Sequence, residues 1–125
     1  GWSSKADIPE GSVYHLPALL ADEMVNAPTV ILVYSAASGV AASSTFPGVQ
    51  NLLLSARALG LGTVLTTLPP EVMERVNAMF GVPEDMAFHC CIPLGYPRGN
   101  FGPTSRLPTS ETTSWDRWGQ SPPWK

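Results

Sequence analysis

Hydrophobic positions along this 125-residue chain change their period several times, and each change marks an element. Leu16, Leu19, Leu20 and Met24 recur on one side of a helical repeat over His15 to Asn26, with Pro17 acceptable in its first turn and Pro28 ending it. Thr29 to Tyr34 is apolar and rich in β-branched residues, which predicts a strand covered on both faces and central in its sheet. Residues 35–45 carry almost no large side chain and read as a loop or the lightly packed start of a helix. From Phe46 to Leu59 the positions Val49, Leu52, Leu53, Ala56 and Leu59 keep helical spacing and are expected in the core, with Pro47 in the first turn and Gly60 placed to end the helix.

Gly60-Leu61-Gly62 then turns the chain into a short strand, Thr63 to Leu68, halted by Pro69-Pro70. A helix is predicted from Pro70 to Phe80: Glu71 and Glu74 in its early turns suit the helix dipole, Gly81 lies just beyond its end, and Val72, Val76 and Met79 are expected to face the core. Met86 to Leu94 reads as a further strand, closed by Gly95-Tyr96-Pro97. Helix, strand, helix, strand, helix and strand are followed by an arm in which Pro103, Pro108, Pro122 and Pro123 prevent any long element.

Composition adds bounds to this pattern. With 44% hydrophobic and 14% charged residues the chain is globular, and its length allows one domain, 1–125, with a core over 12–96 and an extended arm over 97–125. Residues 1–97 are acidic on balance and the arm alone is basic; a net charge of −3 predicts no sequence-independent grip on nucleic acid. No apolar run approaches the roughly 20 residues of a spanning helix, so no membrane partner is expected. The two cysteines, Cys90 and Cys91, are adjacent and offer no disulfide framework, which fits a reducing, cytoplasmic setting. No metal-ligand spacing, nucleophile elbow, phosphate loop or dinucleotide fingerprint is present. His89, Cys90 and Cys91 lie in an apolar strand and read as packing residues, and Tyr34 as a tyrosine with a satisfied hydroxyl.

Three strings in order do carry a signal. Phe46 to Thr63 (FPGVQNLLLSARALGLGT), Gly81-Val82-Pro83-Glu84-Asp85 and Ile92-Pro93-Leu94-Gly95-Tyr96-Pro97 resemble motifs of the FMN-dependent nitroreductase family. Gly102 to Pro108 (GPTSRLP) is similar to the arm that reaches the flavin phosphate in that family, and Trp115-Asp116-Arg117-Trp118-Gly119 to the ending of many members. The resemblance spans roughly residues 12–119.

It implies an α+β, nitroreductase-like fold, a mostly antiparallel central sheet flanked by helices and incomplete at the N-terminus. It further implies a homodimer with FMN at the interface. NAD(P)H would deliver hydride to flavin N5, which would pass it in a ping-pong sequence to a small-molecule acceptor such as a nitroaromatic or quinone. No side chain would act as acid or nucleophile. The resemblance puts the backbone amides of Thr66, Thr67 and Leu68 at the flavin ring edge near N5 and O4, where fixed donors stabilise the charge of the reduced ring. Arg106 would pair with the phosphate, with Ser105 beside it. The long central helix would serve the core and the dimer together. Two departures accompany it: Thr104 stands where many members have a lysine, and the family's opening arginine-rich phosphate segment has no counterpart before Ser12. An alternative is a non-catalytic flavin-binding or dimerisation module that has lost part of the FMN site.

Overall fold

The structure, a computed structural model, describes residues 7–9, 11, 12, 14–103 and 105–124, with Leu16 described by its backbone alone. Helix α1 runs His15–Glu23 and tightens into a 3-10 turn, Met24–Asn26, before Pro28 turns the chain into strand β1, Thr29–Ala36. Helix α2 covers Ala41–Ala58, strand β2 Gly62–Thr63, helix α3 Pro70–Phe80 and strand β3 Met86–Gly95; the arm adds a single helical turn, α4, Thr109–Thr112.

The sheet is antiparallel, in the order β1-β3-β2. The strand expected to be central, β1, is therefore an edge among the described residues, and β3 takes the middle. The apolar run of β1 is explained by helices instead of strand neighbours. Ile31 and Val33 pack with Leu52 and Leu53 against the buried cluster Val49, Cys90 and Ile92, so α2 covers one face. Tyr34, on the opposite face by strand alternation, donates its hydroxyl to Asn77 Oδ1 of α3 at 2.8 Å. Cys90, Cys91 and Ile92 are fully buried, as befits a middle strand with both faces in use. Burying a side chain the size of Ile92 stabilises the fold by roughly 1.5–3 kcal/mol.

Four expectations need correction. Helix α2 begins at Ala41, five residues before Phe46, so Pro47 lies inside it. Small residues supply the extra turn, and the side chains of Ser43 and Thr45 donate to the carbonyls of Val40 and Ala41. Within α2, Val49 and Ala56 are buried and Leu52 and Leu53 half-buried, but Leu59 is 76% exposed, because the helix ends at Ala58 and Gly60 (φ 78°) swings the chain away. In α3 the core residue is Met73; Val76 is half-buried, Val72 is exposed, and Met79 is 77% exposed.

The expected strand Thr63–Leu68 survives only as β2 and an isolated bridge, Thr66 with Cys91. Pro93 explains the gap. Thr66 and Cys91 exchange both backbone hydrogen bonds (3.0 and 2.9 Å), and Gly62 opposes Gly95 in the same register, which sets Val64 opposite Pro93. Alternation points position 93 toward this neighbour, and proline has no N–H to give, so the ladder breaks there.

Candidate functional site

Two grooves meet at the end of α1. One, of about 550 Å³, lies between Leu20 and Ala21 of α1 with Met24 of the 3-10 turn, and the segment Thr66, Thr67 and Leu68 that leads into α3. The segment is held by the Thr66–Cys91 bridge on one side and by Pro69-Pro70 at the start of α3 on the other. The amide of Thr66 is spent on the Cys91 carbonyl at 3.0 Å and is not free for a ring edge. Among the described residues, no hydrogen bond engages the amides of Thr67 and Leu68. Greasy on one wall and lined on the other by two residues whose amides are uncommitted, this groove has the chemistry for a flat ring with acceptor atoms along its edge.

The second groove, about 490 Å³, shares Leu20 and Met24 with the first and runs between Pro28, Val64, Tyr96 and Phe101. Its rim holds an exposed ion pair, Arg98 with Glu23 at 3.7 Å; Glu23 also accepts from Asn26 Nδ2 at 3.0 Å. Exposed pairs of this kind contribute little to stability. At its far side the Arg57 guanidinium stands 3.8 Å from the centre of the Phe101 ring, joining the last turn of α2 to the arm.

Ser105 and Arg106 are exposed and line neither groove. Arg106 has no ion pair among the described residues. Thr104, the departure from the family lysine, lies outside the described residues. One chain thus gathers Thr66, Thr67 and Leu68 into a single groove and leaves Ser105 and Arg106 elsewhere on the arm.

A third cluster is polar and aromatic. Between Val33 and Tyr34 the β1–β3 register shifts: Val33 opposes Cys90 and Tyr34 opposes Phe88, so His89 is the extra residue of a bulge. The bulge brings His89 against Phe46 of α2, with ring centres 5.8 Å apart, and its Nε2 shares a 2.6 Å hydrogen bond with Ser35 Oγ. Neither groove includes these residues. Burial pushes the thiols of Cys90 and Cys91 above their usual range, and for Cys91 the neighbouring Cys90 adds to the rise, the opposite of what a nucleophile needs. The wall formed by Leu20 and Met24 was not foreseeable as part of a site, since a helical apolar stripe ordinarily signals core. The Arg57–Phe101 contact joins residues 44 apart and has no local signature.

Comparison with known proteins adds the family. The nitroreductase family profile matches residues 3–96. A protein of Methanothermobacter thermautotrophicus, provisionally named NADH dehydrogenase/NAD(P)H nitroreductase, is 44% identical over 55 residues, 42% of this chain and 29% of the relative. A crystal structure from Bacteroides thetaiotaomicron with the same provisional name superposes with a TM-score of 0.63 at 26% identity, over 78% of this chain and 66% of that one. Iodotyrosine deiodinase, crystallised with FMN and 3-iodo-L-tyrosine, shares the fold with a TM-score of 0.61 at 21% identity, over 93% of this chain and 62% of its own. The chain therefore spans less than two thirds of these relatives. A profile match over most of the chain, on an antiparallel α+β framework shared with solved members, settles the classification: the chain belongs to the nitroreductase family.

Proposed function

We propose that the chain serves an FMN-dependent NAD(P)H oxidoreductase that reduces nitroaromatics, quinones or similar small acceptors. The observation that carries this reading is the first groove, which Thr67 and Leu68, their amides unengaged, line together with Leu20 and Met24. An isoalloxazine needs such a setting: apolar cover for its rings and fixed donors at N5 and O4. When bound, FMN would supply the hydride-accepting centre between NAD(P)H and the acceptor. The residues of the chain bind and orient. Thr67 and Leu68 hold the ring edge, Leu20 and Met24 exclude water from it, and Arg106 with Ser105 grips the phosphate. Arg106 lines neither groove of its own chain; in this reading a second copy in a homodimer supplies the phosphate contacts, and two flavins sit across the interface.

The test is colour and bleaching. Purified chain reconstituted with FMN is expected to retain a yellow chromophore through gel filtration and to lose its visible band when NADPH or NADH is added without oxygen. The separation of Arg106 from the groove also favours a second reading, a flavin-free dimerisation module. A colourless protein that stays dimeric selects that module and overturns the enzyme.

A further inference from the structure

The cation–π contact at the root of the arm gives Arg57 a role beyond packing. Arg57 is the basic residue in the last turn of α2, and its guanidinium lies over Phe101, the residue before Gly102-Pro103. The same stretch is pressed against the turn after α2. A Cβ built on Gly62 would meet Pro97 Cβ at 3.4 Å, the Gly95 carbonyl at 3.5 Å and Phe101 Cζ at 3.7 Å. Residues 97–101 are thereby seated on the end of α2 and on β2. Beyond Phe101 the arm carries Ser105 and Arg106 with no hydrogen bond or ion pair of their own among the described residues. Five residues can reach at most ~18 Å, so the point where the arm is pinned bounds where Arg106 can go.

We propose that Arg57 and Phe101 form a latch fixing the arm's point of departure, and that they are positioning residues for the anion-binding Arg106. This rests on the flavin reading above, with the FMN phosphate as the anion. Neither residue needs to touch the cofactor: the latch removes arm conformations in which Arg106 lies away from the phosphate, so their loss appears as weaker binding of the phosphate alone. A planar guanidinium stacks on a ring face where an aliphatic side chain offers no quadrupole, so the contact distinguishes Phe101→Leu from Phe101→Trp.

The experiment uses the full chain and two readouts. Limited trypsin digestion without flavin measures cleavage after Arg106. Arg57→Met and Phe101→Leu are expected to speed it by about two- to five-fold, the size of an exposed cation–π contact; Phe101→Trp is expected to keep the wild-type rate, and the double variant to cleave no faster than either single one. Fluorescence titration then compares FMN with riboflavin, which lacks the phosphate. Both variants are expected to bind FMN more weakly by a similar factor and riboflavin unchanged. Unaltered cleavage overturns the latch. Parallel loss of FMN and riboflavin also overturns it, because general damage to the fold moves both. Wild-type chain that binds neither flavin overturns the flavin reading and the phosphate role together, whereas intact wild-type FMN preference with unaffected variants overturns the latch alone.

Discussion

Two glycines that look equivalent in sequence differ in whether the fold requires them. An added Cβ at Gly95 would come within 3.0 Å of Pro28 Cδ and 3.1 Å of its Cγ, and a proline ring cannot rotate aside. At Gly62 the nearest atom is 3.4 Å away, an ordinary contact. Gly95→Ala is expected to cost about 1–3 kcal/mol and Gly62→Ala under about 1 kcal/mol, read by urea denaturation. The cysteines make a second prediction, in pH. Burial raises both thiols, so the folded chain holds their protons more tightly than the unfolded one. Their contribution is then full below the unfolded thiol value, about 8.5, and is lost as pH rises toward the folded values. Denaturation midpoints measured from pH 7 to pH 10 should fall above about pH 8.5, and Cys90→Ala with Cys91→Ala should flatten that fall while lowering stability throughout. A wild-type curve as flat as the double variant's refutes the assignment. His89 and Tyr34 show what residue types alone could tell. His89 was readable as a packing residue and Tyr34 as a tyrosine with a satisfied hydroxyl, and the identities of their polar partners, Ser35 and Asn77, were not something sequence pointed to.

Among the elements, α3 was legible from end to end because its limits are chemical: Pro69-Pro70 at the start and Gly81, at φ 62°, capping the finish. Its buried side was not, since the apolar residues form one wide arc and tertiary packing seated its Met73 edge while leaving Val72 and Met79 exposed. The broken strand teaches a different lesson. Pro93 was visible in the sequence, but its consequence falls on the neighbouring strand, opposite Val64, once the register set by Thr66–Cys91 and Gly62–Gly95 is known. Replacing it should mend the ladder. In Pro93→Val a new amide stands opposite Val64, and hydrogen exchange followed by NMR is expected to show that amide protected about as well as the amide of Cys91. Fast exchange at position 93 would mean that the gap is imposed by the Val64–Leu65 backbone and that Pro93 merely tolerates it. The groove beside this segment was legible only by halves. Thr67 and Leu68 came from a motif, whereas Leu20 and Met24 became a wall through the path of α1, which no spacing records.

At the scale of the whole molecule the exposed apolar side chains bear on the proposed homodimer. Large apolar side chains are exposed on α2, where Phe46, Leu54 and Leu59 stand out, and on the arm, where Trp118 is 99% exposed. In the homodimer proposed above, a second copy packed through α2 would cover these residues, with the Arg106 of one chain serving the groove of the other. Sedimentation equilibrium at micromolar concentration is therefore expected to report twice the 13.3 kDa chain mass. Leu54→Asp would place a carboxylate in the middle of that apolar contact with no partner to offset its desolvation, weakening the dimer by tenfold or more, about 1.4 kcal/mol at the least. Met79→Lys, on α3, is exposed just as strongly but belongs to a different face and should leave the dimer unchanged. If Leu54→Asp dissociates the dimer, FMN affinity must fall with it, because ring and phosphate would then lose contacts from different chains. A monomeric Leu54→Asp chain that still binds FMN as well as the wild type would show that both halves of the site belong to one copy.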